Sequence, residues 1–252
     1  MIKKISIIGS GNVATHLGLA FKYSGVKIQE IISRNKESGF ALSKKLDCMF
    51  NNQFANFLKT DLIIICVKDD NIKEVIKKLP NISMIHTSGS TDISVFDGRK
   101  NTGVLYPVQT LKKEIKIEFK SIPICIEANN EVFKKKLISL GNKISNKIYY
   151  LNSFQRKHIH LAAVIVSNFS NFCYIIAKKH LDNYEIDFSL LIPLIIKTAN
   201  NITESDPIDN QTGPAKRGDN KIINEHLKMM KNKNYKKIYQ LLSQNILEEY
   251  EK

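Results

Sequence analysis

Short apolar runs alternate with amphipathic helical patterns from the start of the chain to residue 150. Strands are predicted at residues 4–8, 26–33, 46–50, 62–67, 83–87, 103–106 and 122–127. Helices are predicted at residues 12–23, 38–45 and 71–79. The run at 62–67 is apolar at every position, which is typical of a central strand with both faces covered. This alternation predicts an α/β fold: a Rossmann-type, doubly wound, mostly parallel sheet with helices on both faces.

Long helical patterns replace the strand-like runs beyond residue 150. Helices are predicted at residues 154–181, 188–204, 221–230 and 235–250. Pro193 could kink the second of them, and residues 206–219 form a loop rich in glycine, proline and asparagine. We therefore predict two domains, an α/β domain over residues 1–150 and an all-helical domain over residues 151–252.

The composition is that of a globular protein. Of the 252 residues, 43% are hydrophobic and 25% charged, which excludes a disordered or fibrous chain. No continuous apolar run reaches the roughly 20 residues of a membrane span, and the first run ends in glycines rather than in a signal-peptide cleavage site. The cysteines lie far apart, at Cys48, Cys66, Cys125 and Cys173. We therefore expect buried free thiols, no metal site, no membrane partner and a cytoplasmic location.

The net charge of +14 raises the alternative of nucleic-acid binding. Only four of the 38 basic residues are arginine, and the lysines are spread along the whole chain. We therefore do not expect the continuous basic face that nucleic-acid binding requires, and no nucleic-acid partner is predicted. The scattered lysines would still attract anionic cofactors and substrates.

The segment Gly9-Ser10-Gly11-Asn12-Val13-Ala14 is a G-x-G-x-x-A fingerprint between a predicted strand and a predicted helix. The first glycine permits the tight turn, the second lets a diphosphate approach the backbone, and the alanine lets the helix pack on the sheet. The N–H groups that follow lie at a helix N-terminus, which binds phosphate. An unrelated glycine turn is the alternative. The predicted dinucleotide site comprises Gly9, Ser10, Gly11, Asn12 and Val13.

Ser33 and Arg34 end the second predicted strand, where an NAD-binding protein usually has an acidic residue. A carboxylate would repel the 2′-phosphate of NADP, whereas a hydroxyl and a guanidinium can bind it. Glu30, the only acid nearby, lies in mid-strand. We therefore predict NADP (NADPH) rather than NAD, although Arg34 could also be an ordinary exposed loop residue. Val67 and Lys68 follow the next central strand and are added to the predicted cofactor site.

Polar side chains interrupt an otherwise apolar part of the predicted helix 154–181. At about 100° per residue, His160, Ser167 and Asn171 project within a narrow sector, with Asn168 beside them. They either bond neighbouring helices or a dimer partner, or they face nicotinamide and substrate. A histidine can protonate a carbonyl oxygen or an imine nitrogen during hydride transfer. We therefore predict His160, Asn168 and Asn171 as catalytic residues.

Two further loops contain side chains suited to a substrate carboxylate. Ser88 follows a predicted strand in the turn 86–90, and its hydroxyl can donate a hydrogen bond, although ordinary turn chemistry is the alternative. Arg217, in the segment 211–219, carries a planar fork that fits a carboxylate, unless it belongs to a capped interhelical loop. With Gln109, these residues form the predicted substrate site.

Together these motifs resemble one bacterial family over nearly the whole chain. They are the fingerprint at 9–14, His-Thr-Ser-Gly at 86–89, Tyr-Pro-Val-Gln-Thr at 106–110, the helix at 160–169, and Gln-Thr-Gly-Pro-Ala with Arg-Gly-Asp within 211–219. Its members pair a Rossmann-like domain with a helical domain of formerly unknown function, and are described as similar to pyrroline-5-carboxylate reductase or to deazaflavin-dependent NADP oxidoreductases. The resemblance implies a 6-phosphogluconate dehydrogenase-like fold whose helical domain commonly forms a homodimer. Enzymes of that superfamily often use a lysine on the first long helix; here His160 stands near that place, with Lys157 one turn earlier.

One branch of the family looks like an alternative class of ketopantoate reductases, which serve pantothenate biosynthesis. The resemblance therefore implies an NADP-dependent oxidoreductase that transfers hydride to a small keto acid of the ketopantoate type. Pyrroline-5-carboxylate, a cyclic imine, is the alternative substrate. A dinucleotide-binding redox sensor without turnover is a further hypothesis. It would keep the glycine loop but need no acid–base group that faces the nicotinamide.

Overall fold

An eight-stranded sheet is the main feature of the computed structural model, which describes residues 1–54 and 57–251. The strands are β1 (Lys4–Ile8), β2 (Lys27–Ile32), β3 (Met49–Asn51), β4 (Leu62–Ile65), β5 (Met84–His86), β6 (Thr102–Pro107), β7 (Pro123–Ala128) and β8 (Lys147–Tyr150). Their order is β3-β2-β1-β4-β5-β6-β7-β8, and all neighbours are parallel except β6 and β7. The predicted Rossmann-type, mostly parallel sheet is confirmed.

Helices cover both faces of this sheet. Ile64 in β4 belongs to one apolar cluster, whereas its neighbours Ile63 and Ile65 belong to another. Residues of α1 (Asn12–Tyr23), α2 (Lys36–Leu46) and α4 (Glu131–Gly141) pack into the first cluster, and residues of α3 (Asp69–Lys77) into the second. Because they are parallel, β1, β2, β4, β5 and β6 all end at the same side of the sheet, which we call the carboxyl edge.

Among the strands and α-helices described in the α/β part, α4 and β8 were not predicted. The side chain of Asn130 caps α4 by accepting a hydrogen bond from the N–H of Phe133, and β8 extends the sheet beside β7. The predicted strand at 46–50 is wrong in its first half because α2 continues to Leu46. Asp47 then adopts a left-handed conformation with φ of 55°, and β3 begins only at Met49.

The predicted helix at 154–181 is helical throughout but not uniform. It consists of α5 (Ser153–Ala163), a π-helical segment (Val164–Phe169) and α6 (Ser170–Asp182). Hydrogen bonds in a π-helix span one residue more than in an α-helix, so side chains beyond Ala163 are rotated from their α-helical positions. The alignment of His160 with Ser167 and Asn171 assumed a regular α-helix and stays a prediction, while the hydroxyl of Ser167 accepts a hydrogen bond from Thr110 at 3.3 Å.

Beyond α6, the described part of the chain contains three further α-helices. These are α7 (Ile192–Asn201), α8 (Asn220–Met229) and α9 (Lys233–Tyr250). Pro193 lies in the first turn of α7, where its missing N–H costs no hydrogen bond, so it begins the helix rather than kinking it. Asp219 caps α8 by accepting a hydrogen bond from the N–H of Ile222.

The chain divides into two compact units, Met1–Ser167 and Asn168–Lys252. The first unit contains the sheet and α5, and the second contains α6 to α9. The sheet ends at Tyr150, at the predicted domain boundary, but α5 groups with the sheet. The division into functional domains at residue 150 therefore remains a prediction.

One helical stretch in the described part of the chain is long and apolar enough to cross a membrane. It runs from Ser153 to Asp182 with a mean hydropathy of 1.6. The sequence predicts no membrane span because no uninterrupted apolar run is long enough. A few polar residues end such a run, but they lower the mean hydropathy of a long window only slightly. Core and interface helices of soluble proteins meet the same criterion.

Candidate active site

The glycine loop after β1 leaves open space at its second glycine. Gly9 has a φ of +111°, and a Cβ at this position would lie 2.2 Å from the carbonyl oxygen of Cys66, so only glycine fits. Gly11 precedes α1, and a Cβ there would meet no atom within 4 Å. Ala14 is fully buried against the sheet side of α1. The start of α1 is therefore accessible to an anionic ligand.

A cleft of about 350 Å³ opens beside this loop at the carboxyl edge. Its lining includes most of the predicted cofactor residues: Gly9, Ser10, Gly11, Ser33, Arg34, Val67 and Lys68. Asn12 is exposed, whereas Val13 packs against the apolar cluster beneath α1 and can offer a phosphate only its backbone N–H group. An open helix start beside two cationic side chains fits the diphosphate of a dinucleotide.

Three serine hydroxyls meet where β2 ends. The Oγ of Ser10 lies 2.8 Å from the Oγ of Ser33 and 2.7 Å from the Oγ of Ser38. Asn35 caps α2 by accepting a hydrogen bond from the N–H of Ser38, which places the start of this helix next to Arg34 in the chain. Hydroxyls, a helix start and a guanidinium together suit the 2′-phosphate of NADP. Sequence reasoning found Ser33 and Arg34 but missed Ser38.

Glu30 is held away from this group. Its side chain is buried, and its Oε1 accepts hydrogen bonds from the hydroxyl of Ser6 at 3.1 Å and the N–H of Leu58 at 2.9 Å. It therefore cannot bind the ribose hydroxyls in the manner of the acidic residue in NAD-dependent proteins.

The turn after β5 is built on the buried ring of His86. This ring stacks on Phe96 with 5.5 Å between the ring centroids, and its Nδ1 accepts a hydrogen bond from the N–H of Ser88. Burial, followed by the charge of Arg156, lowers the pKa of His86 to about 3, so the ring is neutral at pH 7. The hydroxyl oxygen of Ser88 accepts hydrogen bonds from the N–H groups of two residues further along, Ser90 and Thr91.

A fully buried arginine connects this turn to α5. The guanidinium of Arg156 donates to the carbonyl oxygens of Ser88 and Gly89, each at 3.0 Å. It also forms an ion pair with Glu127 at 3.0 Å and donates to the hydroxyl oxygen of Ser153. Glu127 in turn accepts the N–H and the hydroxyl of Ser153, the first residue of α5, at 2.8 Å each. Glu127, Ser153 and Arg156 thus join β7, the start of α5 and the turn after β5.

His160 lies one helical turn beyond Arg156 and packs on the same turn of the chain. Its Nδ1 lies 3.0 Å from the hydroxyl of Tyr106, near the end of β6. A Cβ at Gly89 would come within 2.6 Å of that Nδ1 and within 2.8 Å of the ring of Tyr106. The half-buried His160 is therefore held at the carboxyl edge between Gly89 and Tyr106.

The comparisons with known proteins agree with this geometry. Residues 4–88 match the family described as NADP oxidoreductase coenzyme F420-dependent, and residues 122–246 match a domain of unknown function, DUF2520. The crystal structure of a proposed NADP oxidoreductase from Bacteroides fragilis is 34% identical, with a TM-score of 0.91 and coverage of 98% of both chains. The chain belongs to this NADP oxidoreductase family, with a DUF2520 domain as its second part. The predicted family resemblance is thereby confirmed.

More distant structures share the fold. An imine reductase from Myxococcus stipitatus, solved in complex with NADP⁺, is 13% identical over 97% of this chain and 92% of its own, with a TM-score of 0.68. A pyrroline-5-carboxylate reductase from Coxiella burnetii is 14% identical over 100% and 98%, with a TM-score of 0.58. No curated protein matches the chain. Family and structural neighbours are NAD(P)-dependent oxidoreductases, and the predicted NADP cofactor is confirmed at this level.

The remaining predicted residues of this oxidoreductase lie in several places. Gln109 is exposed, and its side-chain oxygen accepts the N–H of Thr110. In the second compact unit, Asn168, Asn171 and Arg217 are all exposed. Lys157, at the place suggested by the superfamily lysine, forms an exposed ion pair with Asp92 at 3.0 Å. In the first compact unit, the structure therefore brings His160 to the turn that contains Ser88, while the roles of the other residues stay predictions.

Sequence reasoning missed Tyr106, Glu127 and Arg156. One signal was available, because arginine is rare in this lysine-rich chain and a planar guanidinium is selected where several bonds must be made at once. Arg156 makes such bonds, and so does Arg99, which donates to the carbonyl oxygens of three residues at the end of α3 and beyond it: Ile76, Leu79 and Pro80.

Proposed function

We propose that the protein reduces a small keto acid of the ketopantoate type with NADPH, and that His160 donates the proton. The observation that carries this proposal is the hydrogen bond between Nδ1 of His160 and the hydroxyl of Tyr106. Because Nδ1 is engaged, Nε2 is the ring atom left to face a substrate. When bound, NADPH supplies the hydride; the protein must orient the substrate and protonate its oxygen.

Tyr106 is suited to hold the histidine through a proton transfer. A tyrosine hydroxyl can accept a hydrogen bond from the protonated Nδ1 of an imidazolium and can donate one to the bare Nδ1 of a neutral ring. Burial raises the pKa of Tyr106, so the hydroxyl keeps its proton at neutral pH. The orientation of His160 is therefore maintained when Nε2 gives up its proton.

The presence of an acid at this edge favours a ketone over an imine. A carbonyl oxygen that receives hydride becomes an alkoxide and needs a proton from the protein. A protonated imine already carries its proton on nitrogen and requires only hydride. Pyrroline-5-carboxylate remains the alternative substrate, supported by the fold shared with the imine and pyrroline-5-carboxylate reductases.

A non-catalytic redox sensor is less well supported. That hypothesis requires no acid–base group near the cofactor, and a histidine sealed in a helical core would favour it. His160 is instead half-buried at the carboxyl edge, within contact distance of the turn that follows β5. Its placement matches the needs of turnover.

Ser88 and Gln109 would hold the substrate carboxylate in this proposal, and Arg217, in the second compact unit, stays a separately predicted ligand. The hydroxyl of Ser88 accepts both amides of the turn and lies 3.4 Å from the hydroxyl oxygen of Ser90, so a substrate carboxylate would have to replace that long contact to receive its hydrogen. The exposed Arg217 forms no ion pair with the described residues, so its guanidinium group is available to bind a carboxylate.

The proposal is tested by NADPH oxidation with the purified protein against a panel of 2-keto acids and cyclic imines. We expect ketopantoate to be among the best substrates, with His160→Gln lowering kcat by roughly 10²- to 10⁴-fold and Tyr106→Phe lowering it less. A cyclic imine that is reduced equally well by wild type and His160→Gln would replace the keto-acid assignment. No oxidation with any compound would favour the sensor.

We also propose that the protein works as a cytoplasmic homodimer built through its helical part. Among residues 168–251 only Ala215 is buried, whereas Leu190, Leu194 and Leu241 are each more than half exposed. A unit with so little internal core gains stability when a second copy covers its apolar side chains. All four cysteines are free thiols, which supports a reducing compartment, but the expected burial holds only for Cys66 and Cys125, since Cys48 is partly buried and Cys173 is exposed.

A further inference from the structure

We propose that Glu127, Ser153 and Arg156 form a buried clamp that positions His160 for proton donation. The proposal rests on the proposed role of His160 and adds three positioning residues that touch neither cofactor nor substrate. Its basis is geometric: the clamp grips the Ser88–Gly89 backbone from one turn of α5, and His160 packs on Gly89 from the next turn.

Spacing along the helix makes this coupling direct. Arg156 and His160 are four residues apart and lie on one face of α5. Arg156 fixes the two carbonyl oxygens of the turn, and the absence of a Cβ at Gly89 then lets the ring of His160 approach to contact. Displacement of the turn by a fraction of an ångström would therefore move the surface on which the histidine rests.

The chemistry of the clamp explains why these residue types are needed. Arg156 is fully buried and bonds four oxygens that belong to three separate segments of the chain. A buried guanidinium requires a compensating charge, and Glu127 supplies it from β7. Ser153 bridges the pair and also accepts the N–H of Ile93, so the start of α5 is tied to the same group. A lysine ammonium would keep the charge but could not bridge Ser88, Gly89 and Glu127 together.

The chain provides a matched control for this role. Arg156 donates to two backbone carbonyl oxygens, and Arg99 donates to three, which lie at the end of α3 and beyond it and not in the turn under His160. Arg156→Lys and Arg99→Lys therefore both remove guanidinium bonds to backbone carbonyl oxygens in the same compact unit, and only Arg156→Lys also disturbs a buried ion pair. Only the first is expected to affect proton donation.

The test compares Arg156→Lys, Arg99→Lys and wild type in the intact protein by steady-state kinetics and by NMR of ¹⁵N-labelled histidine. For Arg156→Lys we expect kcat to fall by at least about tenfold, since small displacements of catalytic groups cost this much or more. We also expect a shifted pH profile of kcat and altered His160 ring resonances. The Kd for NADPH should stay within about twofold, because the cofactor residues are not touched. Arg99→Lys should lower the melting temperature but leave the other values at the wild-type level.

Two provisions keep the outcome decisive. If Arg156→Lys does not fold, Ser153→Ala takes its place, because it removes hydrogen bonds of the clamp and leaves the ion pair between Arg156 and Glu127. Ser153→Ala should shift the His160 resonances less than Arg156→Lys would. If wild type oxidises NADPH with no substrate, the proposed function fails, whereas the NMR comparison still decides whether the clamp positions His160. Arg156→Lys, or Ser153→Ala in its place, with the same His160 resonances and kcat as Arg99→Lys would overturn the proposal.

Discussion

Gly89 and His160 pack so closely that no side-chain atom fits at position 89. A Cβ there would lie 2.6 Å from Nδ1 and 2.7 Å from Cγ of His160, and 2.8 Å from the ring of Tyr106. No positive φ is involved, so glycine is required here by contact and not by backbone conformation. The contact connects a turn recognised in the sequence with a histidine that lies far along the chain.

Gly89→Ala is expected to displace the rings of His160 and Tyr106, because a Cβ at position 89 would lie within 3.0 Å of both. A shift of about 1 Å should lower kcat by roughly a hundredfold, with the Kd for NADPH little changed. Steady-state kinetics and a fluorescence titration with NADPH provide the two values. Gly98→Ala is the control for stability, since Gly98 has a positive φ but lies against no atom within 4 Å. An active Gly89→Ala enzyme would show that His160 need not sit where the structure places it.

Arg34→Ala is expected to weaken NADPH binding far more than NADH binding. Hydrogen bonds to charged groups contribute about 1.5–3 kcal/mol, so the Kd for NADPH should rise about ten- to hundredfold. Calorimetric titration with both nucleotides measures the difference. Lys36→Ala removes a neighbouring exposed cation that does not line the cleft and should change neither Kd appreciably. If Arg34→Ala raised the Kd for NADPH and the Kd for NADH by the same factor, the guanidinium would not select the 2′-phosphate.

The buried His86 makes folding stability depend on pH. Its pKa falls from 6.5 to about 3 on folding, so the unfolded chain binds the proton more readily. The contribution of the neutral His86 to the free energy of unfolding is therefore fully present above pH 6.5. It is lost at about 1.4 kcal/mol per pH unit as the pH falls toward 3. Between pH 7 and pH 5 the loss should be about 2 kcal/mol.

His86→Asn isolates this contribution, because an amide oxygen can replace Nδ1 as acceptor for the N–H of Ser88 without titrating. Urea unfolding at pH 7 and pH 5 gives the free energy of unfolding for both proteins. Between pH 7 and pH 5 we expect the free energy of unfolding to fall by about 2 kcal/mol more in the wild type than in His86→Asn. An equal fall in the free energy of unfolding of both proteins would show that His86 does not remain neutral in the folded state.

Leu194→Glu is expected to separate the proposed dimer. Leu194 is 63% exposed on α7, and burial of a leucine contributes about 1.5–3 kcal/mol. A symmetric dimer contains two copies of Leu194 and loses this burial energy twice, so its dissociation constant should rise by at least about a hundredfold. Light scattering across a dilution series measures the dissociation constant. Lys197→Glu adds an acid to an exposed polar position of the same helix and should leave the mass unchanged; a monomeric wild type would contradict the proposal itself.

Local patterns in the sequence were sufficient for the fold and the cofactor. The period of the apolar residues determines which segments become strands or helices, and the glycine fingerprint works through backbone conformations that depend on Gly9 and Gly11 themselves. Ser33 and Arg34 lie in the segment after β2, and their position relative to the glycine loop follows from strand order alone. These features could be predicted because each depends on neighbours in the chain or on the regular geometry of a parallel sheet.

The arrangement around His160 was decided by tertiary structure. Tyr106, Glu127 and Arg156 come from β6, β7 and α5, and no local pattern indicates that their side chains meet. The π-helical segment that follows α5 interrupts the regular helix predicted over 154–181, and no local pattern indicated it. Sequence determined which chemical groups are available and roughly where they lie along each element. Only long-range packing, through close contacts and the pairing of buried charges, determined which of them act together.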